Sequence, residues 1–186
     1  HQEEKQLIML AVENSRQAQQ QIYAKFSSKM LSVCRQYIKD IHHAEDVMIT
    51  GFMKVFTNLK NFEHKGSFEG WIRRIMVYEC IDFIRVKKNN FNHQDIDDVT
   101  VSENESVYEM EDFSVDDIQN MIDNLPDGYK MVFNLYAIEG YKHQEIAEML
   151  KISEGTSKSQ LLHARKLLQQ QITDLKNKLN DIATIR

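Results

Sequence analysis

Residues 141–165 read YKHQEIAEMLKISEGTSKSQLLHAR, and this segment has the pattern of a helix-turn-helix. Ile146, Ala147 and Leu150 share one face of a first helix, and the small Ala147 lets a second helix cross closely. Ser153 is a candidate N-cap for that second helix. An ordinary helical hairpin fits the same apolar spacing. The capping residue, the small residue at the crossing and a polar outer face together favour a DNA-binding unit.

The second helix of this motif presents its polar outer face near its amino-terminal end. The face carries four residues, Thr156, Lys158, Ser159 and His163. A recognition helix meets base edges and phosphates in the major groove with residues at this position. The segment therefore predicts contact with duplex DNA.

The rest of the chain also favours helices, because its 186 residues include one Pro and six Gly. Apolar residues recur at helical spacing over Leu7–Ala11, Ile22–Cys34, His43–Leu59, Phe68–Ile75, Val115–Leu125, Pro126–Gly140, His143–Lys151 and Glu154–Lys178. Ser67 is a candidate N-cap for the fourth of these helices. No apolar run approaches the length of a membrane span, and no signal-peptide pattern is present. We expect an all-α cytoplasmic protein with no membrane insertion.

The net charge of −5 hides an uneven distribution. Residues 1–90 contain 14 Lys/Arg and 10 Asp/Glu, residues 91–113 contain 8 Asp/Glu and no Lys/Arg, and residues 114–186 contain 9 and 10. The middle segment has no sustained apolar stripe, so it cannot bury enough surface to offset its ordering entropy. We predict two small helical domains, residues 1–90 and 114–186, joined by a flexible acidic linker, residues 91–113. A long surface loop within one domain is the alternative.

Basic and aromatic residues alternate around the helix that follows Ser67. The basic residues are Lys65, Arg73, Arg74, Arg85, Lys87 and Lys88, and the aromatic ones are Trp71, Tyr78 and Phe83. This mixture suits single-stranded nucleic acid, since cations follow phosphates and rings stack on bases. Taken alone, Trp71 and Phe83 are better explained as core residues.

The sequence contains no motif that is typical of catalysis or metal binding. Cys34 and Cys80 have no second Cys or His at ligand spacing, which favours buried free thiols in a reducing compartment. There is no nucleophile elbow, phosphate loop or zinc-protease motif. We expect no catalytic residue, no metal site and no cofactor, and hence a protein that is not an enzyme.

Three motifs, in this order, resemble sigma factors of the sigma-70 family, extracytoplasmic-function (ECF) group. HAEDVMITGFMKVF (residues 43–56) resembles the family's core-binding helix, and GSFEGWIRRI (66–75) with IDFIR (81–85) resembles its minus-ten region. The segment from Asn124 to Gln169 resembles its minus-thirty-five domain. The resemblance extends over nearly the whole chain, and the order of the motifs makes it specific.

The resemblance implies a role for residues of each motif. Glu45, Asp46 and the helix of Phe52 would bind the clamp of core RNA polymerase. The unpaired minus-ten strand would be held by Lys65, Trp71, Arg73, Arg74, Tyr78, Arg85 and Lys88. The minus-thirty-five contacts would be Lys158, Ser159, Leu162 and His163, with Arg165 near the DNA backbone. An anti-sigma factor is a further implied partner.

Departures from the family pattern bear on these roles. Ile49 and Thr50 stand where the family commonly has Gln and an acidic residue. Tyr78 stands where the family usually has an Asn that helps to hold a flipped base; Tyr could stack on that base or pack inward. Ser157 replaces the usual apolar residue, and the recognition helix has fewer Arg than is usual. Fewer fixed charges predict weaker, less salt-dependent DNA binding.

The sequence thus predicts a promoter-specific transcription initiation factor that binds core RNA polymerase, recognises a minus-thirty-five duplex and melts a minus-ten element. A free-standing regulator that uses only the helix-turn-helix is one alternative, and it would need an effector pocket or a symmetric dimer surface. A helical adaptor that has lost DNA binding is another. Binding to core polymerase separates the three.

Overall fold

The computed structural model describes residues 2–89 and 113–184, with side chains for residues 2–87 and 113–178. The segment predicted to be a flexible linker, residues 91–113, lies outside the described residues except for Phe113. Every regular element in the described ranges is helical, which confirms the predicted all-α class. None of these helices has both the length and the apolar character needed to span a bilayer.

The first domain contains four described helices. They are α1 (Gln2–Val12), α2 (Arg16–Tyr37), α3 (Ile41–Asn58) and α4 (Phe68–Asn89), with a 3-10 turn at Leu59–Asn61. The Ser67 Oγ accepts a hydrogen bond from the Gly70 N–H at 2.9 Å, which confirms Ser67 as the N-cap of α4. Because this cap fixes the start of α4, it also fixes which of its side chains face the core.

Helices α3 and α4 cross closely at Gly51. A Cβ at this position would collide with the Met76 side chain of α4. The Lys54 ammonium of α3 pairs with the Glu79 carboxylate of α4. Val55 and Ile72, one on each helix, are completely buried. The two helices therefore form a tightly packed pair.

The two cysteines lie in the core of the first domain, one on α2 and one on α4. Cys34 and Cys80 are both free and buried, as predicted. A hydrogen bond between the two side chains, together with burial, raises the pKa of the Cys80 thiol well above its ordinary value. A thiol in this environment stays protonated and unreactive.

The second domain contains α5 (Val115–Asp123), α6 (Asp127–Phe133), a π-helical turn (Asn134–Ile138), α7 (His143–Leu150) and α8 (Glu154–Thr184). Gly140 has a φ of +78° and lies two residues after the end of the π-helical turn, where the sequence predicted the helix to stop. Pro126 precedes the first turn of α6 as its N-cap residue rather than lying within that turn. Helix α8 extends six residues beyond the predicted Lys178.

The buried face of α7 differs from the predicted one. Ile146 is buried as predicted, but the second buried residue is Met149, while Ala147 and Leu150 are half-buried. Positions three residues apart share a helix face, so Ile146 and Met149 form the inward stripe and Leu150 lies at its edge.

The two domains pack against each other. One cluster of buried apolar residues continues from Ile84 of α4 to Met131 and Leu135 of the second domain, and α2 contacts α5. Two domains connected only by a linker would not share a core. This docking was not predicted from the sequence.

Candidate nucleic-acid interface

The helix-turn-helix is formed by α7, residues 151–153 and α8. Lys151 adopts a left-handed conformation, with φ 56° and ψ 47°, and its N–H donates to the Ala147 carbonyl. The Ser153 Oγ accepts from the Thr156 N–H at 2.9 Å, which confirms Ser153 as the cap of α8. These two local features set the angle at which α8 leaves the turn, and hence the direction of its amino-terminal residues.

Three of the residues predicted to contact the minus-thirty-five duplex form an open face at the start of α8. Lys158, Ser159 and Leu162 are exposed, with 39% of Leu162 accessible. The Lys158 Nζ lies 2.8 Å from the Glu154 carboxylate, in an exposed pair on the same helix. The Ser159 hydroxyl donates to the Thr156 carbonyl at 3.1 Å. The face is thus polar, with one apolar side chain.

The other two predicted contacts rest against aromatic rings. The His163 ring is half-buried and stacks on Tyr129, with centroids 5.5 Å apart. The Arg165 guanidinium is exposed and lies 5.8 Å from the centroid of the Tyr136 ring. Both side chains are thereby oriented before any ligand binds.

Ser157 is completely buried and shares a hydrogen bond with the Nδ1 of His143 at 2.9 Å. The Tyr136 ring stacks on the other side of His143, with centroids 4.7 Å apart. Desolvation, followed by the positive charge of Lys158, lowers the pKa of His143 from its ordinary 6.5. The buried hydroxyl therefore has a structural partner, which explains why a Ser is tolerated at this buried position.

On α4, Arg74 and Tyr78 are exposed one turn apart. The Arg74 guanidinium lies 5.9 Å from the centroid of the Tyr78 ring. Tyr78 is 36% accessible, whereas neighbouring Ile81 is buried. The Tyr78 ring therefore does not pack inward.

The remaining predicted minus-ten residues differ in their surroundings. Trp71 is half-buried and packs on Phe62 and Phe68, with centroids 5.5 Å and 6.0 Å away, so it is partly a core residue. Lys65 is exposed and pairs with Glu63 at 2.6 Å. Lys88 lies in α4, but its side chain is outside the described residues.

Arg73 and Arg85 contact the second domain. The Arg73 Nε and Nη2 donate to the two Glu139 oxygens at 2.6 Å and 2.8 Å, and only 6% of the Glu139 side chain is exposed. These hydrogen bonds raise the pKa of the Arg73 guanidinium. The Arg85 Nη2 donates to the Met149 carbonyl at 3.2 Å. Two residues predicted to contact DNA therefore already form hydrogen bonds with groups of the second domain.

A cavity of about 310 Å³ separates α4 from α7 beside these contacts. Arg74 and Tyr78 line one wall, and Glu145 and Glu148 line the other. We call the surface formed by Arg73, Arg74 and Arg85 the basic face of α4. The second domain therefore places carboxylates opposite this face. Within the described ranges, no three His, Cys, Asp or Glu side chains are grouped as metal ligands.

The predicted polymerase-binding residues lie on α3. Glu45 and Asp46 are exposed. Ile49 and Met53, one and two turns further along the helix, are 49% and 65% accessible and form an exposed apolar pair that the sequence did not predict. Phe52 is only 2% accessible and packs edge-on against Tyr23. The Phe52 side chain therefore supports α3 from inside.

Models of two protein-family regions match the chain. Sigma-70 region 2 matches residues 22–90, and Sigma-70, region 4 matches residues 115–168. The first match extends from within α2 to the end of α4, and the second extends from α5 into α8. The helix-turn-helix is therefore part of the region 4 match.

Relatives of known identity match most of the chain. The chain is 30% identical over 163 residues to the ECF RNA polymerase sigma factor SigW of Bacillus subtilis (strain 168). The aligned region covers 81% of this chain and 86% of SigW. The chain is 28% identical over 137 residues to the RNA polymerase sigma factor SigV of the same organism, with 74% and 80% covered.

A solved structure shares the fold. The sigma factor RpoE, in complex with the anti-sigma factor NepR from Bartonella quintana, superposes with a TM-score of 0.54 at 20% identity and covers 83% of this chain and 96% of that one. The regions, the relatives and the helical architecture agree. This chain belongs to the ECF group of the sigma-70 family, and it is a promoter-specific transcription initiation factor.

Proposed function

We propose that this chain binds core RNA polymerase through α3, holds an unpaired minus-ten strand along α4 and reads a minus-thirty-five duplex with α8. The observation that carries the proposal is the open face at the start of α8, where Lys158, Ser159 and Leu162 are exposed on a helix capped by Ser153. A capped second helix with an exposed amino-terminal face has the docking geometry of a recognition helix.

The three residues of that face suit three kinds of contact. An ammonium suits guanine acceptors or a phosphate, a hydroxyl can donate or accept, and an apolar side chain suits a thymine methyl group. The pair between Lys158 and Glu154 is exposed, so little free energy is needed to break it. Arg165, further along α8, supplies a charge for the DNA backbone.

Helix α4 carries a cation and aromatic rings that can bind an unpaired strand. Arg74 offers a cation for phosphate, and the adjacent Tyr78 offers an exposed ring for stacking on a base. Trp71 adds a second ring that the core holds in place. Arg73 and Arg85 extend the basic face once they leave the second domain.

Helix α3 offers charge and apolar area side by side. Glu45 and Asp46 suit a basic partner surface, and Ile49 with Met53 adds exposed apolar area. Phe52 positions α3 and does not touch the polymerase. We place the polymerase contact on the exposed side of α3, which puts the site of action in the cytoplasm.

An anti-sigma factor is a further proposed partner. The Bartonella relative of the same fold was solved with one. The exposed apolar residues of α3 and the basic face of α4 are the surfaces such a protein would cover here.

The test combines core binding with run-off transcription. Purified chain is passed over immobilised bacterial core polymerase, and the complex is then supplied with genomic promoter fragments. We expect tight retention and promoter-dependent transcripts. Glu45→Lys with Asp46→Lys should abolish retention, whereas Lys158→Ala with Ser159→Ala should keep retention and lose promoter preference.

Lys5→Ala serves as the control, because Lys5 is an exposed cation on α1, a helix that carries none of the proposed contacts. A free-standing regulator would bind promoter duplex without being retained on core. An adaptor would bind neither promoter duplex nor single strand. Either pattern would refute the proposal.

A further inference from the structure

We propose that two tyrosines of the second domain are positioning residues for promoter reading. Tyr129 holds the imidazole of His163 and thereby sets a preference for particular bases. Tyr136 holds the guanidinium of Arg165 and thereby sets affinity without a preference. This rests on the proposed function, since His163 and Arg165 are proposed contacts to the minus-thirty-five duplex, whereas neither tyrosine is.

Tyr129 lies in the first turn of α6 and covers one face of the His163 ring. The two ring planes are 17° from parallel, with centroids 5.5 Å apart, and both side chains are half-buried. A ring held face to face with another has few side-chain rotamers left to it. Because the nitrogens of an imidazole lie in the plane of its ring, the stack also fixes the directions in which His163 can donate and accept.

The backbone beside Tyr129 holds this support close to α8. A Cβ on Gly128 would lie only 3.1 Å from the side-chain amide oxygen of Gln160, which precedes His163 by one turn. Ala164, the residue after His163, is completely buried. The start of α6 and the reading segment of α8 are therefore packed as one rigid unit, in which Tyr129 is a fixed platform.

Tyr136 lies in the π-helical turn and contacts a different side chain of α8. The Arg165 guanidinium lies 5.8 Å from the centroid of its ring, within the range of a cation–π contact. The other side of the ring stacks on His143, at 4.7 Å between centroids and 22° between planes. His143 in turn shares a hydrogen bond with the buried Ser157. Arg165 thus rests on a ring that the interior of the domain holds in place.

The two supported side chains suit different parts of a duplex. A neutral imidazole has one donor and one acceptor, and the edges of base pairs differ in their pattern of donors and acceptors. A guanidinium near the backbone meets phosphates, which are the same at every base pair. Loss of the Tyr129 ring should therefore change a preference, whereas loss of the Tyr136 ring should lower affinity uniformly.

The experiment measures duplex binding by the full chain. A duplex library with randomised base pairs is bound to the wild type, the bound fraction is sequenced, and fluorescence anisotropy then gives affinities for the selected duplex and for its single base-pair variants. We expect Tyr129→Leu to reduce the preference about fivefold at the base pair where His163→Ala also reduces it. Tyr129→Phe, which keeps the ring, should retain the wild-type preference.

Tyr136→Leu should weaken binding to every duplex about threefold, because an unsupported Arg165 loses more conformational freedom when it binds. Tyr136→Phe should restore the wild-type affinity. Tyr23→Leu is the matched control, because Tyr23 lies on α2 of the first domain and forms a ring contact there with Phe52. It removes the same ring and should change neither quantity. Circular dichroism verifies that each variant remains helical.

Double substitutions separate positioning from general packing. If Tyr129 acts through His163, Tyr129→Leu has no further effect on the preference in the His163→Ala background, and Tyr136→Leu has none on affinity in the Arg165→Ala background. Full additivity in both backgrounds would show that the rings are packing residues only, and would overturn the inference.

The remaining outcomes distinguish this inference from the proposed function. If the wild type prefers certain duplexes but His163→Ala leaves that preference unchanged, Tyr129 has no reader to position and its role is refuted, while reading by the rest of α8 stands. If the wild type selects no sequence from the library, reading of a minus-thirty-five duplex is refuted, and the positioning roles are refuted with it.

Discussion

Tyr78 and Ser157 are two residues near the proposed DNA faces at which the sequence departs from the family pattern. Tyr78 is exposed beside Arg74, in a position to meet a ligand. Ser157 is buried and bonded to His143, so its role is internal. Two departures that look alike in the sequence thus have different consequences, and each can be tested separately.

Replacing Tyr78 should affect promoter opening. A ring that stacks on an unpaired base contributes roughly 1–3 kcal/mol with little selectivity among bases. We expect Tyr78→Ala to reduce open-complex yield on all templates, and Tyr78→Asn to sharpen selectivity at one minus-ten position. Permanganate footprinting on templates that differ at that base measures both. Equal yields for wild type and Tyr78→Ala on every template would show that the ring is structural.

Desolvation of His143 should make the second domain sensitive to pH. The pKa of His143 is lowered in the folded state, so the unfolded chain binds the proton more readily. Stability is therefore fully present above the ordinary pKa of 6.5 and decreases as the pH falls below it. Thermal unfolding followed between pH 8 and pH 5 should show this loss. His143→Gln should flatten the curve, whereas exposed His42→Gln should leave it unchanged.

At the scale of the elements, the starts of helices could be predicted from the sequence, but the packing of the two domains against each other could not. Ser67 and Ser153 cap helices through groups three residues away, so their effect can be inferred from the local sequence. Glu139 and Asp123 resemble surface carboxylates in the sequence, because their partners lie 66 and 88 residues away. The sequence could likewise not predict whether Tyr78 is exposed or buried, since a Tyr near the edge of a core fits either environment.

Added volume should carry a cost at the α3–α4 crossing. Gly51→Ala places a Cβ against the flexible end of the completely buried Met76 side chain, so the cost of moving Met76 should cancel the gain in helix propensity that alanine brings. Urea unfolding measures the change in the free energy of unfolding. Gly155→Ala is the control, because its Cβ would meet only the Ser153 Oγ at 3.7 Å and alanine favours the helix. Equal stabilities for the two variants would contradict the close packing.

Helices α4 and α8 should contribute differently to promoter binding. Arg74→Ala should weaken binding to all promoters and reduce the salt dependence by about one unit per lost phosphate contact. Ser159→Ala should instead change preference at particular minus-thirty-five positions. Holoenzyme binding titrations at several salt concentrations, on a panel of promoters, distinguish the two. A uniform, sequence-independent loss from both variants would rule out α8 as the recognition helix.

At the scale of the whole molecule, acid should open the chain. Burial pushes the pKa of Asp123 up, but hydrogen bonds from Arg35 and Gln119 together outweigh it, and the net pKa lies below the ordinary 3.8. The contribution of this pair is present above that ordinary value and is lost as the pH falls through the lowered one. The radius of gyration should therefore rise at acid pH before helicity is lost. Asp123→Asn, which has no carboxylate to protonate at this position, should show no such step.

Gly51 brings the helix that would meet the enzyme against the helix that would meet the melted strand, with Lys54 and Glu79 paired across them. Two helices in such contact cannot slide past each other, because interiors packed to this density deform little. If α3 meets the polymerase and α4 meets the melted strand, as proposed, the distance between those two sites is fixed by the protein. That distance would therefore be the same at every promoter this factor serves.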